Sequence, residues 1–504
     1  MRCGFVFQHG LCKVGRCVGN QLWLARRGSV RVNYHGAERC TLPVHTMGED
    51  RSDVKVFVVG AGLAGVTAAN ELQADGYDVT IIEASERFGG RIWTERDASG
   101  RAVELGATWL HGKAGNPLFK RAEKLGILPR PDERDPEDVD RNEDNDYWGL
   151  LKYVRSDGTL LPADDVRRVM KLFRSFLNEL KDDGAKSSLP SSVGEYLDQR
   201  WQENASSIGP FDELIFQARK ELECGISGCD DLNEVSARHF DGYDELDGEN
   251  TPAPGGMEKL VAPTCPILYQ KEVVKIQWGT SGVNIVTRGN GSYSSDYVIV
   301  TLPLGFLKQT VHSFFDPAVS EAKAKAIQSA GFGVVDKVIL QVDYDFGYNS
   351  RVIACDSSAP TWMQNSFLYS GGTYHDTVEF WVKGSRALEM ESLQDDVVVE
   401  DLLEVLRTSG VTGGVKPSPK KLWRSKWGTN PLFGGSYSFP GVNSDEQTFL
   451  TIQDPLRDVD SRCRVFFAGE ATHPSLYSTM TAAYLSGMRA AGELRSTVDT
   501  LVGR

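Results

Sequence analysis

The sequence lacks a long apolar run and lacks clustered cysteines, the features typical of membrane-spanning and of cysteine-ligated metal proteins. It has no long apolar run: the longest, around residues 56–69, is too short and too glycine-rich to span a bilayer. Its nine cysteines form no CxxC pair and no cluster with histidine at metal-ligand spacing. We therefore predict no membrane partner and no metal, and we expect the scattered cysteines to be reduced thiols of a cytoplasmic protein.

Positive charge is also in deficit. The chain has 55 Lys and Arg against 69 Asp and Glu, a net charge of −14. Residues 1–50 carry seven basic and three acidic side chains, or +4, so residues 51–504 carry −18. An acidic body argues against nucleic acid as a partner. It favours the approach of a cationic substrate, although the same charge also serves plain solubility.

The first fifty-two residues have no apolar core of signal-peptide length. They hold several arginines and no acid before Glu38, which is a trait of organelle transit peptides, but serine is scarce. Met47 also allows an alternative start. We predict that residues 1–52 are a disordered or targeting extension, so an organelle remains an alternative location.

The most informative feature is a glycine pattern near residue 60. An apolar, β-branched run over residues 54–59 is typical of a strand buried on both faces of a parallel sheet. Gly60, Gly62 and Gly65 follow, opening an alanine-rich stretch whose free N–H groups can hold a pyrophosphate. A second apolar run ends at Glu83, where a ligand of a ribose hydroxyl is expected. Together these features predict a dinucleotide-binding unit.

Hydrophobic periodicity predicts several further elements. We expect helices over residues 166–180 and 395–409, and strands over 270–277, 282–288, 293–302 and 336–344.

Other sequence blocks narrow the choice of dinucleotide. These blocks cover residues 83–94, 104–112, 300–305, 331–337, 427–437 and 466–473. With the glycine pattern they closely resemble the flavin-containing amine oxidase family, which includes polyamine oxidases, monoamine oxidases and lysine-specific histone demethylases. The resemblance spans about residues 53–495, and the blocks occur in the family's order. It implies FAD as the cofactor.

The resemblance implies a mixed α/β fold (α+β). A Rossmann-like FAD-binding domain is expected over residues 53–130, 252–310 and 418–497. Interleaved with it, residues 131–251 and 311–417 are expected to form a substrate-binding domain of mixed sheet plus helices. The long inserted coiled coil of the histone demethylases has no counterpart here.

By resemblance, one set of residues is expected to contact FAD. It consists of Gly60, Gly62, Leu63, Ala64, Gly65, Glu83, Ala84, Arg87, Gly89, Gly90, Arg91, Gly106, Ala107, Thr108, Trp109, Val273, Trp427, Gly469, Glu470, Thr479, Met480 and Thr481. Trp109 and Thr481 are also expected near the substrate. The family has a histidine where this chain has Thr481, so the role of that position stays open.

Three residues are expected to take part in catalysis: Lys337, His111 and Tyr437. In the family a lysine that follows Gly-Phe-Gly holds a water near the flavin, and Lys337 keeps that order. An ordinary lysine on an edge strand is the other interpretation. Tyr437 is expected to form one wall of an aromatic cage, with Thr479 opposite. His111 could form a hydrogen bond with a neutral amine, or it could be a structural histidine.

The residue before Tyr437 bears on how the flavin is held. Monoamine oxidases have a cysteine there that bonds covalently to the flavin, and this chain has Ser436. We therefore predict a non-covalent FAD.

The resemblance implies oxidation of a small cationic polyamine of the spermine or thermospermine class. Hydride would pass from the carbon beside a secondary amine to flavin N5, and the imine would then be hydrolysed. The candidate acids for the remote ammonium groups are Glu221, Glu223, Asp241, Asp244 and Glu245, and the sequence does not choose among them. Ile226 stands where animal spermine oxidases have their acid. Monoamine oxidation, protein-lysine demethylation and an inactive flavoprotein scaffold remain alternatives. The sequence does not indicate the oligomeric state.

Overall fold

The structure is a computed structural model that describes residues 51–129, 152–182, 188–204, 209, 211–347, 351–355, 359–364, 366–370 and 374–501. All but the last two residues of the predicted N-terminal extension lie outside this part of the chain.

The helices of the described residues follow in chain order. They are α1 (Leu63–Ala74), α2 (Pro117–Leu125), α3 (Ala163–Asp182), α4 (Val193–Glu203), α5 (Asp212–Ser227), α6 (Leu304–Phe314), α7 (Glu321–Ser329), α8 (Gly384–Ser392), α9 (Asp395–Thr408), α10 (Thr448–Gln453) and α11 (Met480–Leu501).

The strands are more numerous and mostly short. They are β1 (Lys55–Val59), β2 (Asp78–Ile82), β3 (Thr94–Arg96), β4 (Ala102–Glu104), β5 (Trp109–Leu110), β6 (Lys152–Arg155), β7 (Thr251–Pro252), β8 (Ile267–Leu268), β9 (Val273–Gly279), β10 (Gly282–Thr287), β11 (Gly291–Ser295), β12 (Tyr297–Val300), β13 (Phe315–Asp316), β14 (Gly331–Gly333), β15 (Val335–Val342), β16 (Arg351–Cys355), β17 (Ser366–Ser370), β18 (Thr377–Lys383), β19 (Pro419–Arg424), β20 (Tyr437–Phe439), β21 (Leu456–Arg457) and β22 (Cys463–Phe467).

A six-stranded sheet in the order β21-β22-β12-β1-β2-β8 forms the first layer. Its strands are parallel except for β21, which runs antiparallel to β22. Val56 and Val58 of β1 pack into one apolar core, and Phe57 and Val59 pack into another on the opposite face. Burial on both faces explains why the β1 sequence is continuously apolar rather than alternating.

Helix α11 packs closely against α1 on the first of these faces. An ideal Cβ on Gly487 of α11 would lie 2.4 Å from the carbonyl oxygen of Ala64, so only glycine allows this approach. The third turn of α11 is thereby held against the first turn of α1.

The predicted strand over residues 293–302 is two strands. β11 pairs antiparallel with β10, in a four-stranded sheet of order β11-β10-β9-β13, whereas β12 joins the parallel sheet beside β1. The chain changes sheets at Asp296, whose backbone N–H donates to Lys55 O and whose carboxylate accepts from Lys55 N. Periodicity alone cannot reveal this change of partner.

A second six-stranded sheet has the order β19-β15-β18-β17-β16-β6. Val338, Leu340 and Val342 of β15 point to one face, where they pack in a core that includes side chains of α8 and α9. Lys337 and Ile339 lie on the other face, and Ile339 packs with Val103 of β4 and with Leu105. Strand alternation thus directs Lys337 away from its own domain core.

No helix in the described part of the chain is both long and apolar enough to cross a bilayer. Nor do the described residues contain a group of three or more His, Cys, Asp or Glu side chains arranged to hold a metal ion.

Candidate active site

A cavity of about 1620 Å³ lies at the carboxyl ends of the parallel strands and extends to the second sheet and to α3 and α5. We call it the central cavity. Among the residues predicted to contact FAD or substrate, those that line it are Gly60, Gly62, Leu63, Ala64, Glu83, Ala84, Gly89, Gly90, Arg91, Gly106, Ala107, Thr108, Trp109, His111, Val273, Lys337, Trp427, Tyr437, Gly469, Glu470, Thr479 and Met480. The ligand side of an open parallel sheet is this same edge.

Three predicted contact residues do not line the cavity. Gly65 is inside α1, where an ideal Cβ would lie 2.0 Å from the carbonyl oxygen of Gly60. Arg87 directs its guanidinium to the carbonyl oxygens of Gly90 and Ile92, at 2.7 and 3.2 Å. Thr481 is buried, with its hydroxyl 3.2 Å from Asn116 Oδ1. Gly65 and Thr481 therefore contribute to packing, and Arg87 stabilises the loop at Gly90.

The glycine turn before α1 has the features of an anion site. Gly60 has φ +107°, a backbone conformation that favours glycine. Gly62 is the N-cap residue of α1, and because it has no side chain, no side-chain hydrogen bond caps the helix. Uncapped N–H groups at a helix start can bind a phosphate, and the absence of Cβ atoms leaves room for it. Gly89 N–H donates to Ala61 O at 2.8 Å, which brings the second glycine loop, formed by Gly89 and Gly90, beside this first turn.

Glu83 at the end of β2 holds this turn in place. Its Oε2 accepts from Ala61 N at 2.7 Å, and its Oε1 accepts from Ser85 N at 2.8 Å. The carboxylate also lines the cavity, so its remaining lone pairs are available to ribose hydroxyls.

An ion pair joins two distant predicted residues across the cavity. Arg91 Nη1 is 2.9 Å from Glu470 Oε1 and also donates to Ser436 O at 2.8 Å. The other oxygen of Glu470 accepts from Ser438 Oγ at 2.6 Å and Ser478 N at 2.9 Å. Glu470 thereby ties the second glycine loop to β20 and to the segment before α11.

Lys337 is almost completely buried in the cavity wall. Its Nζ donates to Glu104 O at 3.1 Å, to Gly106 O at 2.7 Å and to the hydroxyl of Thr108. Burial lowers the pKa of Lys337, and the carboxylates of Glu379 and Glu104 partly offset this effect. A lysine on an exposed edge strand would have none of these contacts.

Glu104 shares this environment. Burial raises its pKa to about 7, although hydrogen bonds from Met257 N and the Thr94 hydroxyl and the nearby charge of Lys337 favour the carboxylate. The site therefore contains an acid and a base whose proton affinities have been moved toward neutral pH.

Tyr437 is half-buried in the cavity wall. Its hydroxyl donates to Gly225 O, and its ring lies against Gly228, where an ideal Cβ would be 2.4 Å from the ring. Burial raises the pKa of the phenol, so it stays protonated. Thr479 also lines the cavity and donates its hydroxyl to Leu476 O at 2.7 Å.

His111 lines the cavity and contacts Asn250. Its Nδ1 is 3.2 Å from Asn250 Oδ1, and burial lowers the pKa of the ring. A carbonyl oxygen accepts only, so this contact assigns the proton to Nδ1 and leaves Nε2 as an acceptor.

Of the five candidate acids for remote ammonium groups, three line the cavity. These are Glu221, Glu223 and Glu245, while Asp241 and Asp244 do not line it. Ile226 lines the cavity as well, and 51% of its surface is exposed.

The sequence interpretation missed the contribution of β18. Glu379, Trp381 and Lys383 line the cavity, and Lys337 Nζ lies 4.6 Å from the centroid of the Trp381 ring. The sequence contains a pattern that could have identified them. Glu379, Trp381 and Lys383 alternate along β18 with Val378, Phe380 and Val382, which are fully buried. Period-two alternation would have placed these three side chains on one face.

Comparison with known proteins agrees with this geometry. Residues 63–495 match the family described as flavin containing amine oxidoreductase. The chain is 30% identical over 497 residues to the bovine peroxisomal N(1)-acetyl-spermine/spermidine oxidase, covering 88% of this chain and 95% of that protein. It is 31% identical to lysine-specific histone demethylase 1 homolog 2 of rice, covering 94% of this chain but 61% of that protein.

A solved structure shows the same fold. Cyclohexylamine oxidase from Brevibacterium oxydans superposes with a TM-score of 0.66 at 19% identity, covering 88% of this chain and 99% of that one. The chain belongs to the flavin-containing amine oxidoreductase family and is an amine oxidoreductase of mixed α/β fold.

The cofactor is FAD, held without a covalent bond. Ser436, at the predicted attachment position, accepts from Val335 N and donates to Val335 O, both at 2.8 Å. No cysteine of the described residues lines the cavity, so no thiol is available to the flavin there.

Proposed function

We propose that the protein oxidises polyamines of the spermine and thermospermine class. The observation that carries this proposal is the composition of the lining of the central cavity. It holds the buried base Lys337 and the aromatic ring of Tyr437, and it continues to the carboxylates of Glu221, Glu223 and Glu245. A substrate with one reacting amine and further ammonium groups has complementary chemistry.

We propose that FAD is held along the cavity by three groups of residues. The glycine turn at Gly60 and Gly62 and the start of α1 bind its phosphates, Glu83 binds a ribose, and Arg91 supports the adjoining loop. The start of α11, with Thr479 and Met480, offers backbone N–H groups to negative charge on the ring system.

When bound, FAD accepts the hydride from the carbon beside the reacting amine. Tyr437 supplies the wall against which that amine is positioned. The lowered pKa of His111 keeps its ring neutral near pH 7, so Nε2 can accept a hydrogen bond from an amine N–H. The reacting nitrogen must be unprotonated so that its lone pair can form the C=N bond as the neighbouring carbon loses hydride, so the rate rises with pH.

Lys337 acts on the water that completes the reaction. Its amino group is fixed in position by Glu104 O, Gly106 O and the Thr108 hydroxyl, and it can orient one water by exchanging one of these hydrogen bonds for a bond to the water. That water adds to the imine, which breaks down to an aldehyde and a shortened amine. Glu104, whose pKa is near 7, lies close enough to affect the proton on Lys337.

Protein-lysine demethylation is a second candidate because of the similarity to the rice demethylase homolog. A substrate panel separates the two. Protein loaded with FAD is given spermidine, spermine, thermospermine, their acetylated forms, a monoamine and a methylated lysine peptide. Peroxide release and dye reduction are followed in parallel, and protein without added amine is the blank. Turnover of spermine or thermospermine above all others is expected, and a preference for the peptide or the monoamine would refute the proposal.

A further inference from the structure

The carboxylates that residues 221–249 contribute to the central cavity are all engaged by the chain's own cations. The four ion pairs are Glu221–Lys383, Glu223–Arg219, Glu245–Lys181 and Glu249–Lys113. A polyamine that binds to any of these acids must share the acid with a cation or replace it.

The two inner pairs are built into the wall. Lys383 lies 2.5 Å from Glu221 and also donates to Asp230 O at 3.0 Å. Arg219 and Glu223 each have side chains that are only 8% exposed, at a distance of 2.9 Å. Removing either cation would leave a buried carboxylate at Glu223, or a half-buried one at Glu221, without its partner, which is costly.

The pair of Lys181 and Glu245 is different in kind. Lys181 Nζ lies 2.6 Å from Glu245 Oε1, and their side chains are 37% and 71% exposed. Lys181 is the penultimate residue of α3, on a flexible stem, and exposed pairs of this kind contribute little to stability. This cation can therefore leave its carboxylate at small cost.

A second group completes the surroundings of the Lys181 ammonium. Its Nζ lies 6.0 Å from the centroid of the Phe240 ring, within range of a cation–π contact. Lys181, Glu245 and Phe240 all line the cavity. An alkylammonium group thus occupies a site made of a carboxylate and an aromatic face, at the cavity wall.

We propose that Glu245, with the ring of Phe240, binds a remote ammonium group of the substrate, and that Lys181 is the resident cation which the substrate displaces. The end of a lysine side chain and the end of a polyamine are the same primary alkylammonium group. The exchange therefore preserves both the ion pair and the aromatic contact. This inference rests on the proposed function.

Displacement gives the site a role in specificity. A monoamine has no second cation to exchange with Lys181, whereas a tetra-amine does. Removing the Lys181 charge should consequently improve the binding of a tetra-amine, which is opposite to the effect expected of a lysine that only stabilises the fold.

The test measures spermine affinity by calorimetry on FAD-loaded full-length protein at low ionic strength. We expect Lys181→Met to lower the Kd for spermine about two- to fivefold and Glu245→Gln to raise it about three- to tenfold. The double variant should match Glu245→Gln within about twofold. Lys416→Met is the matched control, because it changes the net charge by the same amount. Lys416 lies outside the cavity and pairs with Glu400, and the two side chains are 36% and 65% exposed, respectively.

Three results would overturn the inference. They are an unchanged or higher Kd in Lys181→Met, an equal decrease in Lys416→Met, and an unchanged Kd in Glu245→Gln. Melting temperatures close to wild type show that the variants are folded. Because the readout is affinity, a protein that binds spermine with the expected changes but does not oxidise it refutes only the proposed function. Normal oxidation with no effect of either variant refutes only the Glu245 site.

Discussion

Lys337 Nζ donates a hydrogen bond to the carbonyl oxygen of Gly106 over 2.7 Å, joining residues 231 positions apart in the sequence. This bond ties β15 of the second sheet to the loop that borders the cavity beside β4. Two predicted site residues are thereby placed in direct contact, which gives the buried lysine a partner and the loop a fixed position.

Replacing Lys337 by Met should slow the reductive or the oxidative half-reaction by at least about tenfold while FAD stays bound. The loss of the ammonium also leaves Glu104 O and Gly106 O without this donor, so we expect about 1–3 kcal/mol lower stability. Stopped-flow absorbance measures both half-reactions, with Lys416→Met as a control. A variant that is less stable but reacts at wild-type rates would make Lys337 a structural residue only.

Gly65→Ala should abolish or strongly reduce FAD loading. The new Cβ would lie 2.0 Å from Gly60 O and 2.9 Å from Thr301 Oγ1, so the glycine turn must shift. The ratio of flavin to protein absorbance in the purified variant reports this. Gly492→Ala in α11 is the matched control, because no heavy atom lies within 4 Å of its ideal Cβ. Full loading of Gly65→Ala would show that the turn tolerates the side chain.

Tyr437→Ala should lower kcat/KM by about one order of magnitude, equivalent to ~1–2 kcal/mol of lost aromatic packing and positioning. The decrease should be similar for spermine and thermospermine, because both pass the same wall. Tyr437→Phe keeps the ring and loses only the hydrogen bond to Gly225 O, so its kcat/KM should stay near wild type. Wild-type kcat/KM in the alanine variant would remove Tyr437 from the substrate path.

Asp336→Asn should become more stable relative to wild type as pH rises. Burial and a hydrogen bond with Glu391 raise the pKa of Asp336 from 3.8 to about 8. A raised pKa means that the folded state binds a proton which the unfolded state releases. The stabilisation that this proton gives the wild type is fully present below about pH 4. It is lost as pH rises through about 8, by up to about 1.4 kcal/mol per pH unit. Asn mimics the protonated acid. Urea unfolding at pH 6 and pH 9 tests this, and an equal difference at both values would contradict it.

The cofactor side of the site could be predicted from sequence because its signals are local. Strand, glycine turn, helix and Glu83 follow one another within thirty residues, and adjacent parallel strands bring them together. The glycines of the motif also have a steric reason that is local: an ideal Cβ on Gly65 would lie 2.0 Å from the carbonyl oxygen of Gly60. Helices α3 and α9 appear close to the predicted ranges because their apolar periodicity is strong.

The substrate side could be predicted only in part, because its contacts depend on tertiary pairing. Trp381 is brought opposite Lys337 by the register of β15 and β18, and no motif marks it. Arg87 shows the reverse problem: it follows Glu83 closely in sequence, yet its guanidinium turns to backbone carbonyls of the glycine loop. Sequence adjacency does not determine the direction of a long side chain.

The most direct test of the account is anaerobic mixing of the FAD-loaded protein with each amine, followed by the absorbance of oxidised flavin. We predict loss of that absorbance in a single turnover with spermine and with thermospermine, faster at higher pH, and much slower loss with a monoamine or a methylated lysine peptide. Flavin that stays oxidised with both polyamines, or is reduced faster by the monoamine or the peptide, would contradict the proposed function.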